Sequence, residues 1–169
     1  FQHRGKSIET KRRNALIPDG ANSSKVTVEI SKHEYCGKRR IKTIQGVKIF
    51  GYSRELLVLE KIRAICQQHP DYAYRSSKNR ARDFYDIYEL TANTDDGFIS
   101  RCSSQIENVF RAKEVPLKIL ALLWEVDFID EQRRGFDEVK DTVIGKIHDF
   151  EVYVEHLRFF VKDIYPEAV

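Results

Sequence analysis

Methionine is missing from the 169-residue sequence, which begins at Phe1. We therefore expect the sequence to be part of a longer gene product, with further residues before Phe1. Long apolar runs are also missing, because no stretch is apolar enough to span a bilayer, and no signal peptide is recognisable. These absences argue against a membrane protein and favour one soluble domain with a core of its own.

Cysteine is scarce, and histidine shows no metal-binding spacing. The three cysteines are widely separated with no CxxC pair, and none of the five histidines belongs to an HExxH motif. A disulfide framework and a zinc site are therefore disfavoured, and we expect reduced thiols in a cytoplasmic protein. A Walker-type loop, GxSxG and GxGxxG are absent as well, which removes the commonest phosphate-binding and hydrolase signatures.

Charge is distributed unevenly along a chain whose net charge is only +3. Residues 1–80 carry 18 lysines and arginines against 7 acidic residues, whereas residues 81–169 carry 11 against 19. A basic front half favours a phosphate-rich partner on that side of the molecule. A solvated basic surface would give the same asymmetry, so the count leaves both interpretations open.

The pattern of apolar residues predicts a small sheet followed by helices. Strands are expected at 25–31, 40–44 and 46–51, with a turn at Gln45-Gly46, after a basic arm over residues 1–24. Helical spacing predicts helices at about 53–68, 82–90, 102–113, 116–124, 136–147 and 150–164, the first of them capped by Ser53. The predicted fold class is α+β, with a sheet region and basic arm over residues 1–52 and a helical region over residues 53–169.

The helix predicted at 82–90 carries the densest group of charges in the chain. Asp83 and Asp86 are three residues apart and share a helix face, beside Lys78, Arg80 and Arg82. Paired carboxylates beside cations can hold a divalent metal and a polyphosphate together. A salt-bridged helix surface would show the same pattern, so the residues alone allow both interpretations.

Other candidate residues are also open to two interpretations. Glu29 lies on the polar face of the strand predicted at 25–31, where it could line a cleft and reach a metal or simply contact solvent. Lys61 lies beside the apolar face of its helix, so its ammonium either reaches solvent or contacts a nucleotide phosphate. The aromatic residues from Trp124 to Phe160 could stack on bases, but their helical spacing favours core packing.

Three blocks of the sequence, taken in order, resemble one protein family. They are residues 28–31 (VEIS), 52–64 (YSRELLVLEKIRA) and 80–86 (RARDFYD), and residues 112–117 (AKEVPL) add to the similarity. Over about residues 25–130 the chain resembles the AbiEii/AbiGii toxin family of bacterial nucleotidyltransferases. The resemblance implies part of a nucleotidyltransferase-like core over residues 1–52, followed by helices. It also implies Mg2+-dependent transfer of a nucleotide from a nucleoside triphosphate to an RNA such as tRNA, by a toxin with a cognate antitoxin.

The resemblance also implies roles for individual residues. Glu29 corresponds to the acidic strand residue of the family's second motif, and Lys61 to the lysine of the third motif, which contacts triphosphate. Asp83 corresponds to the aspartate of the fourth motif, with Asp86 following it. The expected catalytic residues are Glu29, Lys61 and Asp83, the expected metal ligands are Glu29, Asp83 and Asp86, and the expected nucleotide contacts are Lys61, Arg80 and Arg82.

One part of the family pattern is missing from the sequence. The first motif, a Gly-Gly-Ser turn followed by an Asp-x-Asp pair on a strand, does not occur before Glu29. We expect it to precede Phe1 in the complete gene product, where enzymatic activity would depend on it. The alternative is a degenerate, non-catalytic member that binds an antitoxin-like partner or RNA. A nuclease is a weaker third hypothesis, because acidic strand residues do not accompany the Asp83 helix.

Overall fold

The computed structural model describes residues 5, 7–13, 15, 17, 25, 28, 30–37 and 40–168. The chain divides into two compact units, residues 1–32 and 33–169. The α+β class predicted from the sequence is confirmed, since the described ranges contain helices together with a small antiparallel sheet.

In the first unit, helix α1 spans Ile8–Arg13, where the sequence predicts only an arm. Ser7 caps this helix: its hydroxyl accepts a hydrogen bond of 3.3 Å from the amide of Thr10. The strand predicted at 25–31 is wrong for its described residues, since Lys25, Val28, Ile30 and Ser31 belong to no strand. Val28 and Ile30 are exposed, and an alternating pattern forms a strand only where a neighbour accepts its hydrogen bonds.

The second unit begins with a β-hairpin, as predicted. Strand β1 (Arg40–Ile44) pairs antiparallel with β2 (Val47–Gly51), and Ile44 lies opposite Val47 at the turn. Gln45 and Gly46 both have positive φ, 50° and 80°, as a two-residue hairpin turn of the primed type requires. Every residue of the two strands is exposed, so the hairpin extends from the helical body and contributes little to the core.

The helical body packs around three longer helices, and their hydrophobic side chains form most of the core. These helices are α2 (Arg54–Cys66), α3 (Ala81–Thr91) and α9 (Phe150–Ile164). The shorter elements are α4 (Phe98–Ser103), α5 (Ile106–Ala112), α6 (Ile119–Leu122), α7 (Val126–Arg133), α8 (Phe136–Lys140) and a 3-10 turn at Pro166–Ala168. In the described ranges no helix is long and apolar enough to cross a membrane.

The long helices confirm the sequence predictions, and the short ones correct them. Ser53 caps α2 by accepting a hydrogen bond of 3.2 Å from the amide of Leu56. The helix predicted at 102–113 is instead two helices that meet at Ser104 and Gln105, and α7 was not predicted. Helix α8 stops at Lys140, well short of residue 147, and the segment opened by Pro116 forms only the single turn α6. Core packing of the aromatic residues is confirmed for most of them, but Phe159 is exposed.

Candidate functional site

Lys61 lies between the two aspartates of α3. Its ammonium donates hydrogen bonds to Asp83 Oδ1 at 2.8 Å and to Asp86 Oδ2 at 2.7 Å. The structure therefore joins residues that are more than 20 positions apart in the sequence. Because both distances are short and both acceptors are charged, these are strong, charge-assisted hydrogen bonds.

The packing of α2 against α3 brings the three side chains together. Phe84 and Ile87 are fully buried on α3, and the Phe84 ring packs 5.2 Å from the ring of Phe150 on α9. Asp83 and Asp86 precede these two residues in the helix, so they lie at the edge of the buried face. Lys61 reaches that edge because it adjoins Ile62, whose side chain is fully buried on α2.

The Lys61 ammonium is charged in this environment. Burial alone would lower the pKa of Lys61, but the hydrogen bonds to Asp83 and Asp86 outweigh it, so the pKa lies above its usual value. The Lys61 side chain is 20% exposed and that of Asp83 is 12% exposed, so the cluster is shielded but still open to solvent. The site therefore holds a fixed positive charge near the surface at neutral pH.

Two arginines complete the cluster. Arg80 lies 3.6 Å from Asp83 Oδ2, and the Nε of Arg82 donates a hydrogen bond of 2.8 Å to Asp86 Oδ1. Arg82 also donates to the hydroxyl of Thr142 at 2.8 Å. The Nε of Arg80 is buried without a hydrogen-bond partner in the described part of the chain, so this guanidinium keeps an unused donor. Together Lys61, Arg80 and Arg82 outnumber the two aspartates by one charge.

Two residues that support the cluster were missed by the sequence analysis. Gln132 Oε1 accepts a hydrogen bond of 2.7 Å from the amide of Arg80, and this contact fixes the start of α3. Thr142 holds Arg82, as described above. Both residues lie more than 50 positions beyond their partners. No local pattern marks them, and only the tertiary packing of the α7–α8 region identifies them.

The metal site predicted from the sequence remains a prediction. Glu29, its third ligand, lies outside the described residues. Among the residues that are described, no group of three or more His, Cys, Asp or Glu side chains is arranged to hold a metal ion. Three of the four oxygens of Asp83 and Asp86 accept hydrogen bonds from Lys61 or Arg82, and Arg80 faces the fourth. Asp83 and Asp86 alone therefore do not fit a metal centre, since their carboxylate oxygens already accept hydrogen bonds from, or face, cationic side chains.

The Lys61 cluster thus places three cations and two carboxylates in contact with one another where α2 packs against α3. A family model described as "Nucleotidyl transferase AbiEii toxin, Type IV TA system" matches residues 6–156. The chain therefore belongs to the AbiEii family of nucleotidyltransferase toxins of type IV toxin–antitoxin systems. No curated protein and no solved structure matches it.

Proposed function

We propose that the protein transfers a nucleotide from a nucleoside triphosphate to an RNA acceptor such as tRNA, and that the Lys61 cluster binds the triphosphate. Family membership supports the reaction class, and the fixed ammonium of Lys61 is the observation that carries the assignment of the site. In this proposal a cognate antitoxin counteracts the toxin in the cytoplasm.

The geometry supports separate roles for lysine and aspartates. An ammonium has three N–H donors, and Lys61 gives one to each aspartate, which leaves one for a phosphate oxygen. Asp83 and Asp86 then act by orienting the ammonium and keeping it charged. Because the charge is positioned before substrate arrives, little reorganisation is needed when negative charge develops on the triphosphate.

The arginines extend the cationic surface around Lys61. The Arg80 side chain is 35% exposed and its Nη1 lies 3.6 Å from Asp83, so the terminal nitrogens of its guanidinium can donate to a second phosphate oxygen. Arg82 is held by Asp86 and Thr142 and contributes charge from a fixed position. The surplus of one positive charge favours a polyanion over a neutral ligand.

Magnesium enters this proposal with the substrate, as the magnesium complex of the nucleoside triphosphate. The expected role of Glu29 in positioning metal or acceptor, and the expected metal ligation by Asp83 and Asp86, belong to the same proposal. The contacts of Asp83 and Asp86 with Lys61 and Arg82 support a role in holding these two cations more directly than they support metal ligation.

The test is transfer of labelled nucleotide to total tRNA by the full-length protein, with each of the four nucleoside triphosphates in turn. Lys61→Met should lower transfer by about 100-fold, the usual effect of removing one preorganised electrostatic contact. Arg80→Gln should lower it less and should raise KM for the nucleotide, because it removes charge without disturbing Lys61.

The matched control is Lys140→Met, which removes an exposed lysine paired with Asp137 on α8. It should transfer nucleotide at the wild-type rate. The proposal is refuted if the wild-type protein transfers none of the four nucleotides, or if folded Lys61→Met and Arg80→Gln both match the wild type.

A further inference from the structure

A second basic region lies on the same unit, at the base of the β-hairpin. It is a cleft of about 620 Å³, within the range of about 300–1,000 Å³ typical of ligand sites. Its walls come from β1, the β2–α2 junction, the end of α3 and helix α4. We call it the hairpin cleft. Its principal charged and polar residues are Arg40, Lys42, Arg54, Glu55, Asn93, Asp95 and Arg101.

The cleft carries more positive than negative charge, although residues 33–169 as a whole are nearly neutral. Both of its carboxylates are committed to Arg101: Glu55 at 2.7 Å, and Asp95 through two hydrogen bonds of 2.9 and 2.7 Å. Arg40 lies 3.8 Å from the same oxygen of Glu55. Two guanidinium groups therefore converge on one buried carboxylate at the floor of the cleft.

Two further cations in the cleft, Lys42 and Arg54, have no ion pair within the part of the chain that the structure describes. Lys42 has no ion pair with any residue that the structure describes, and the recorded partner of Arg54 is the carbonyl oxygen of Asn93, at 3.5 Å. The side chains of Lys42 and Arg54 therefore supply positive charge that no described carboxylate neutralises. A site with spare cations and satisfied acids is suited to an anionic ligand.

Apolar and aromatic surface lies between these cations. Leu57 and Tyr52 are both part of the wall and remain 38% and 39% exposed. The Tyr52 hydroxyl donates a hydrogen bond of 2.7 Å to Glu34, which restricts the motion of the ring. Cations interleaved with an immobilised aromatic ring are typical of surfaces that bind single-stranded nucleic acid, where phosphates contact the cations and bases contact the rings.

The hairpin cleft and the Lys61 cluster share one face of α2. Arg54, Leu57 and Lys61 lie at helical spacing on one face, so Lys61 is about 10 Å from Arg54 along the helix axis. Helix α3 runs antiparallel beside this face, because Arg54 contacts Asn93 after its end and Lys61 contacts Asp83 near its start. A strand bound in the cleft can therefore extend toward Lys61.

We propose that the hairpin cleft binds the phosphodiester backbone of a single-stranded nucleic acid, in which Lys42 and Arg54 contact phosphates. The inference rests on the proposed function for the identity of that strand, which is then the end of the acceptor RNA. It assigns the acceptor to the hairpin side of Lys61, separate from the triphosphate.

The experiment measures binding of a fluorescein-labelled 12-nucleotide RNA to the full-length protein by anisotropy, at several salt concentrations and without nucleotide. The double variant K42Q/R54Q is compared with K118Q/K162Q, which removes two exposed lysines outside the cleft. For a single strand, losing two phosphate contacts should reduce the slope of log K against log salt by about 1.4. Near physiological salt this corresponds to about tenfold weaker binding, and DNA of the same sequence should show the same loss.

The control double variant K118Q/K162Q should retain the wild-type slope, because removing lysines that do not contact the RNA changes the salt dependence of binding little. The proposal is overturned if the wild type does not bind the RNA, if both double variants weaken binding equally, or if the cleft variant keeps the wild-type slope. It is also overturned if K42Q/R54Q loses affinity for a nucleoside triphosphate and not for RNA, because the cleft would then be the nucleotide site. Since binding is measured without turnover, failure of nucleotide transfer would not affect this result.

Discussion

Replacement of Lys61 by methionine tests whether the Lys61 cluster stabilises the fold. Methionine keeps the apolar stem packed but removes the ammonium that donates to Asp83 at 2.8 Å and to Asp86 at 2.7 Å. Hydrogen bonds to charged groups contribute about 1.5–3 kcal/mol each, and a carboxylate left buried without its partner costs several kcal/mol.

The structure reduces these figures for two reasons. The carboxylates of Asp83 and Asp86 are 12% and 25% exposed, so water replaces part of the lost interaction. Arg80 and Arg82 also remain beside them. We therefore expect Lys61→Met to lower the free energy of unfolding by about 2 kcal/mol at pH 7, measured by urea denaturation followed by circular dichroism.

The control for this prediction is Lys140→Met. Its partner Asp137 is 89% exposed, so the loss should be under about 0.5 kcal/mol, as is usual for surface ion pairs. A double-mutant cycle of Lys61→Met with Asp83→Asn should give a coupling free energy of about 1–2 kcal/mol. The reasoning is refuted if Lys61→Met costs no more than Lys140→Met, or if the cycle gives no coupling.

Three further predictions concern other parts of the helical body. Glu55→Gln should cost about 1–3 kcal/mol at neutral pH, because Glu55 is buried and accepts a charge-assisted hydrogen bond from Arg101. Gly135→Ala should cost about 1–3 kcal/mol, because an added Cβ would clash with the side-chain oxygen of Asn79, whose amide group is held in place by hydrogen bonds. A thiol reagent should label one cysteine rapidly in the folded protein, the exposed Cys36, and all three after unfolding.

Each of these predictions has a pH dependence or a control. Burial raises the pKa of Glu55, but the hydrogen bond from Arg101 and others outweigh it, so the folded pKa lies below the usual 4.5. The stability that Glu55 contributes is thus present above pH 4.5 and is lost as pH falls through the folded pKa. When the urea midpoint is measured as a function of pH, its decrease at acid pH should therefore be smaller for Glu55→Gln than for the wild type. Gly51→Ala is the control for Gly135→Ala, because a Cβ added at residue 51 would have no atom of a non-adjacent residue within 4 Å. Burial raises the pKa of the Cys102 thiol to about 12, so rapid labelling of Cys102 would contradict the third prediction.

Local sequence signals predicted the long helices and the β-hairpin of this fold and failed for the short helices. The Ser53 cap and the Gln45-Gly46 turn are both set by side-chain or backbone preferences of single residues, and both are present in the structure. The strand predicted at 25–31 depended instead on alternation alone, which does not provide a pairing partner. Helix α7 was missed because its helical register becomes evident only when Phe128 and Ile129 are seen packed in the core.

The residues of the candidate site also differ in whether local sequence signals could identify them. Asp83 and Asp86 could be recognised together because a helix of known period places them on one face. The side of α3 on which Lys61 lies could not be read from periodicity, because it depends on how α2 packs. Gln132 and Thr142 could not be identified, since a glutamine or threonine in a short loop-flanked segment has no signal until its distant partner is known.

Under the proposed function, the arrangement around Lys61 constrains how a phosphate would bind there. Both aspartates are anions, so an incoming phosphate is repelled by Asp83 and Asp86 while it is attracted by Lys61, Arg80 and Arg82. With three cations against two carboxylates the sum favours the anion by one charge, and the advantage depends on all three cations remaining in place. Because Arg82 is held by Asp86 and Thr142, and Lys61 by both aspartates, the carboxylates keep the cations converged even though they lower the net attraction. In the proposed function the aspartates therefore weaken phosphate binding but fix the geometry of the cations, and fixed geometry lowers a transition-state barrier more than tight ground-state binding does.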